Sequence, residues 1–162
     1  MNKNADVVTQ LIAIFKKEFG GFFKEYYEGD PLQIPVAAFP CMIVQKTRAR
    51  VSLDATQTDL LESEVTISIV YNKADDFGAQ SNVKLTEQIL REKVEGRNAI
   101  TGQFAPDTVM HVLRTNITLG QTKLSMSADW EYSYVERVDS MLTSEATVQL
   151  VSRERIMVPN RT

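Results

Sequence analysis

The sequence predicts an α+β fold: a mainly antiparallel sheet with a long β-hairpin, and two main helices packed on one face. Three observations lead there. Apolar residues recur at helical spacing near the N-terminus and again over Ser81–Glu95. They alternate at every second position in four other stretches, which is the period of a half-buried strand. The elements run in the order helix, hairpin, helix, then three strands. With 162 residues, 43% hydrophobic and 24% charged, the chain has the size and composition of a single globular domain spanning 1–162, with a loose tail from about 159.

Val8, Leu11, Ile12, Phe15 and Phe19 form the first helical stripe, with Asn4 placed to cap it and Asp6 where the helix dipole favours an acid. Phe22, Phe23, Tyr26 and Tyr27 carry the apolar pattern past Gly20-Gly21, a pair that bends or ends the helix, and Gly29-Asp30-Pro31 closes the region. Leu32–Pro40, with prolines at 35 and 40, reads as an extended connector across the surface. From Cys41 the period becomes two. Ile43, Val51 and Leu53 fall on odd positions against Lys46, Arg48 and Arg50 on even ones. After the polar turn Asp54–Asp59, Val65, Ile67, Ile69 and Tyr71 alternate with Glu62, Glu64, Thr66 and Ser68. A regular hairpin placing both apolar sets on one face puts Lys46, Arg48 and Arg50 beside Glu62 and Glu64 on the other.

The second helix, Ser81–Glu95, has Val83, Leu85, Ile89, Leu90 and Val94 on its apolar side. Glu87–Arg91 and Arg91–Glu95 are i,i+4 pairs on its solvent side, and Gly96 lies just past its end. Asn98–Pro106 reads as a loop and Asp107–His111 as a short helical turn. Three strands follow: Leu113–Leu119; the alternation Met126, Ala128, Trp130, Tyr132, Tyr134; and Ala146, Val148, Leu150. The apolar parity then slips to Val151, Ile156 and Val158, predicting a bulge or a strand leaving its sheet.

Chemistry is sparse. Eighteen basic and twenty-one acidic side chains leave a net charge of −3, which argues against a dedicated polyanion binder. One Cys and one His exclude an internal disulfide and leave a Cys/His zinc site nearly impossible. Cys41 with His111 is the only conceivable thiol–imidazole pair, and a buried, inert cysteine is the stronger reading. Asp75-Asp76 and Asp54…Asp59 lack calcium-loop spacing and read as solvated turn acids. Glu62 and Glu64 are better read as cross-strand ion-pair partners than as an acid–base pair. No phosphate loop, dinucleotide fingerprint or nucleophile elbow is present. No catalytic set, metal site or cofactor is expected. The short apolar run Leu11–Phe15 and the Pro-broken run Val36–Val44 predict neither a signal peptide nor a membrane span, hence a soluble chain made in a reducing cytoplasm.

The N-terminal amphipathic helix, the Pro-rich lead into FPCMIVQKTRARVSL, then ESEVTISIVYNK, KLTEQILREKV and SEATVQLVSRERI, together resemble the tail terminator proteins of long-tailed bacteriophages. That family is also called tail completion or head–tail joining. The likeness covers nearly the whole chain and lies in element order and texture rather than in a diagnostic motif. It implies a non-enzymatic virion protein of the neck, a subunit of a ring, most simply a hexamer. The ring caps the tail tube, ends its elongation and offers the surface for head joining. The implied partners are further copies, the tail-tube protein and a head-completion or connector protein, with genomic DNA passing through unbound. A head-completion stopper, a tail-tube subunit and, more remotely, a small cysteine enzyme stay open as alternatives. Polar segments uncommitted to the core, around Asp54, Gln57 and Asp59, around Arg97 and Gln103, and in the tail at Arg161, are the expected contacts.

Overall fold

A computed structural model describes residues 6–76 and 84–159. The elements are α1 (Val7–Phe19), β1 (Glu25–Glu28), β2 (Cys41–Ala55), β3 (Thr58–Asn72), α2 (Thr86–Glu95), α3 (Val109–Thr115), β4 (Thr118–Leu119), β5 (Thr122–Arg137) and β6 (Met141–Met157). The strands form one sheet in the order β1-β2-β3-β6-β5-β4. The α+β class holds. The sheet is mixed, however, because β1 runs parallel to β2 while the other four pairings are antiparallel.

Capping explains where the helices start and stop. Asp6 caps α1 by accepting from the Val8 amide at 2.6 Å, and Asn4 lies outside the described residues. Gly20 ends α1 at φ 53°, a left-handed backbone that glycine adopts without Cβ strain, while its N–H donates to the Lys16 carbonyl. The expected second helix is shorter than its apolar pattern. Residues 81–83 lie outside the described residues, Lys84 and Leu85 are extended, and Asp76 accepts from both the amide and the hydroxyl of Thr86 at the helix start. Gly96 is required by space, since a Cβ there would sit 2.5 Å from the Glu92 carbonyl oxygen.

All three helices cover one face. Val8, Leu11, Ile12 and Phe15 of α1, Leu90 and Val94 of α2, and Val109, Met110 and Leu113 of α3 are buried there. Beneath them lie Met42, Val44, Val65, Ile67, Ile69, Ala146 and Val148. Burying such side chains, many of them below 2% exposure, is the main stabilising term, at about 1.5–3 kcal/mol for each large one before chain entropy is set against it. A smaller cluster of Ile34, Ala38, Phe39, Cys41, Ile43 and Val70 seals part of the opposite face.

Of the two outcomes open at Gly20-Gly21 the helix ends there, and the apolar pattern beyond becomes a short turn and the parallel strand β1. Three expectations are corrected. The Leu32–Pro40 connector is not wholly on the surface, because Ile34, Ala38 and Phe39 turn inward to cover the second face. The segment from Leu113 is helical through Thr115, leaving only Thr118–Leu119 as strand; Thr108 accepts from the His111 amide at 3.2 Å and starts that helix. Finally, β6 runs without a break from Thr143 to Met157 beside β3. Only Val151 leaves the even parity of Ala146, Val148 and Leu150, which Ile156 keeps, and no bulge interrupts the strand. The register shifts lie elsewhere in the sheet, between Lys46 and Arg48 and between Leu53 and Ala55 on β2, and between Leu124 and Ala128 on β5.

Candidate assembly surfaces

The bulge in β2 divides the hairpin into two registers. Before it, Met42 faces Ile69, Val44 faces Ile67 and Lys46 faces Val65; beyond it, Arg48 faces Glu64 and Arg50 faces Glu62. The extra residue flips the β2 side chains from Arg48 to Leu53 relative to β3, before a second shift ahead of Ala55. Arg48 and Arg50 therefore share a face with Glu62 and Glu64, opposite Val65, Ile67 and Ile69. Lys46 and Ile43 do not follow this pattern. Lys46 lies on the helix-covered face and pairs with Asp6 of α1 at 3.5 Å, while Ile43 lies on the opposite face in the small cluster.

The ion pairs also differ from those expected within the hairpin. Glu62 pairs with Arg153 on β6 at 3.6 Å, and Asp54 with Arg155 at 2.9 Å. Among the described residues Arg48 and Arg50 make no ion pair. On α2, Glu87 accepts from the Tyr134 hydroxyl at 2.9 Å, and Glu95 accepts from the Trp130 indole N–H and from the Tyr132 hydroxyl at 2.6 Å. Both carboxylates thus tie the helix to the sheet rather than to Arg91. Burial, with the Glu95 carboxylate beside it, holds the Tyr132 phenol above its ordinary range.

The expected contact residues lie in two places. Asp54, Gln57 and Asp59 surround the turn between β2 and β3, where the Val158 amide donates to the Gln57 carbonyl at 2.8 Å and fastens the end of β6. Arg97 bridges to Phe104, and Asn98 N–H donates to the Gln103 carbonyl at 2.8 Å, in the loop after α2. Arg161 lies outside the described residues.

Cys41 and His111 are separated by the sheet, with the thiol among the small cluster and α3 on the other face. The thiol is fully buried and burial pushes its pKa up to about 12, partly opposed by the Arg137 guanidinium. It is not a nucleophile in this setting. Arg137 is committed elsewhere: it donates twice to Glu145, at 2.8 and 2.9 Å, and once to Asp30 at 2.9 Å, joining β5, β6 and the segment after β1. Among the described residues no group of three or more His, Cys, Asp or Glu is placed to hold a metal ion, and no helix is long and apolar enough to cross a membrane.

Sequence reasoning pointed to the turn at the far end of the sheet but missed the open strand edges leading to it. β1 flanks β2 only along Cys41–Val44, and β4 flanks β5 only at Thr122 and Lys123. The rest of both strands has no strand neighbour on its outer side among the described residues. Val51 (59%), Leu53 (70%) and Met126 (69%) stand exposed along them. The missing signal is local cover: the alternation of a strand says which face is apolar, not whether anything lies on it. No protein-family model matches the chain, and no curated protein matches it.

Proposed function

We propose that this chain is the subunit of a ring, six copies being the simplest count, that caps a phage tail tube, ends its elongation and presents the surface for head joining. The observation that carries the reading is the half-covered sheet. One end is sealed by helices, whereas the other extends as long strands with exposed apolar side chains and two open, non-identical edges. A ring subunit needs two different lateral surfaces, because a heterologous contact closes only by rotation. Capping is a binding function and calls for complementary surfaces rather than reactive groups. The buried Cys41 and its separation from His111 leave the cysteine-enzyme alternative without its residue pair. A net charge of −3 suits a lumen that lets DNA pass, since a strongly basic wall would hold phosphates in a salt-dependent way.

The testing experiment is deletion of the coding sequence from the producing phage. Overlong or unjoined tails are expected. Tails of normal length joined to heads would refute the reading, and purified protein growing into long tubes would transfer it to a tail-tube subunit.

A further inference from the structure

We infer that neighbouring copies join by antiparallel pairing of the open β2 edge of one with the open β5 edge of the next, with Arg48 opposite Glu131 and Arg50 opposite Asp129. This deepens the ring reading and rests on it for the closure of the contact, though the edge pairing itself is testable alone. Four independent features converge on one register.

The first is direction. β2, β3, β6 and β5 alternate up and down in succession, so a copy placed alongside by rotation sets its β5 antiparallel to β2. That pairing can proceed through ordinary main-chain ladders, as in strand addition.

The second is charge. Arg48 and Arg50 share the face of Glu62 and Glu64, away from the helices. Asp129 and Glu131, aligned with Gln149 and Thr147 of β6, lie on that same face. All four side chains are exposed, and none makes an ion pair among the described residues. Two β2 edges together would set arginine against arginine, and two β5 edges acid against acid. Only the unlike edges attract, which selects head-to-tail contact over a two-fold dimer.

The third is the other face in the same register. It places Ala49 opposite Trp130 and Val51 opposite Ala128, and brings Leu53 to the neighbourhood of Met126. Ala49, Val51 and Leu53 are exposed on the face of Val65, whereas Ala128 and Trp130 are half-buried on the face of Val148, where Trp130 meets Glu95 of α2. The same pairing that joins the charges covers them.

The fourth is extent and slope. The pairing stops at one end where β1 flanks Val44 and at the other where the Leu124 amide donates to the Ile117 carbonyl at 2.7 Å, so each short strand marks a limit of the contact. Within one copy Asp129 is in a row with Gln149, Thr66 and Gln45, whereas Arg50 is in the row of Glu62. Each neighbour is therefore displaced from Thr66 to Glu62 along β3, roughly 14 Å across a four-strand width of roughly 19 Å. That slope is about 35°, at the lower limit of the strand tilt of closed barrels. The displacement is thus compatible with a sheet that closes into a ring.

The test is disulfide trapping in a Cys41→Ala background, with Arg50→Cys and Asp129→Cys on one chain, oxidised at the highest attainable concentration. A ladder of cross-linked species ending at one closed size is expected. Val51→Cys with Ser133→Cys, out of register, should cross-link at least tenfold less. Charge reversal tests the pairing without cysteines. Arg48→Glu/Arg50→Glu and Asp129→Arg/Glu131→Arg should each weaken association measured by sedimentation by about tenfold or more. Combining the four on one chain should restore it. Equal cross-linking in both registers, no rescue by the combined variant, or a chain that stays monomeric and uncross-linked would overturn the pairing. Cross-linked rings from a phage whose tails stay normal without this protein would refute the terminator reading and leave the edge pairing standing.

Discussion

The two halves of β3 obey the same alternation and have opposite fates. Val65, Ile67 and Ile69 lie under three helices and are at most 1% exposed. Leu61 and Asp59 continue the same face toward the turn, beside Ile156 of β6 and beside Val51 and Leu53 of β2, which are 59% and 70% exposed. The covered half is a folding core. The uncovered half is a stiff extension whose geometry is set by pairing with its neighbours while its faces stay available. The comparison teaches that strand length beyond the helix layer exposes edges as well as faces, and unpaired edge N–H and C=O groups are a template for pairing with another chain.

The comparison can be broken or sharpened by variants of decreasing effect. Ile67→Ala removes a fully buried side chain between α-helical and sheet layers and should lower unfolding free energy by about 4 kcal/mol in urea titration. Glu145→Ala leaves the half-buried Arg137 guanidinium with Asp30 alone, and should cost about 3 kcal/mol. A loss under about 1 kcal/mol would mean that this pair does not hold the covered end together. Cys41→Ala should cost about 1 kcal/mol and leave assembly unchanged. The thiol itself should resist labelling at pH 8 until the protein unfolds, because its pKa is raised to about 12. A raised thiol pKa stabilises the fold below the ordinary thiol range of about 8.5, and that contribution disappears as pH climbs toward 12. Rapid labelling of the native protein would show the second face to be open. Smallest of all, Leu53→Ala should change folding stability by less than about 0.5 kcal/mol. Its effect belongs in association, and a large folding defect there would erase the contrast between the halves.

Much of the fold was legible from residue order. The helix stripe Val8–Phe19, the strand alternations around Ile67, Trp130 and Val148, and the terminal Gly96 each declare themselves through local periodicity or capping. The site was legible only in part. Arg48, Arg50, Glu62 and Glu64 share a face as expected, but Lys46 departs because one inserted residue at the β2 bulge reverses parity. Asp129 and Glu131 were visible as the polar half of a clean strand, with nothing in the sequence to say that their strand lacks an outer neighbour. The pairings of Glu95 with Trp130 and Tyr132 also escaped notice, since they join residues far apart in the chain.

By itself the sequence determined the α+β class, the pairing of β2 with β3 and the apolar face of β3 and β6. Those properties depend on spacings of two to four residues, which the backbone imposes wherever it folds. Only the tertiary structure decided that β1 adds in parallel, that α3 replaces a strand, and that the connector's Ile34 and Phe39 seal Cys41. It also decided where helix cover ends and which strand edges remain open. These outcomes depend on contacts between distant segments, where burial competes among several surfaces of similar hydrophobicity and only the assembled layers decide which one is covered.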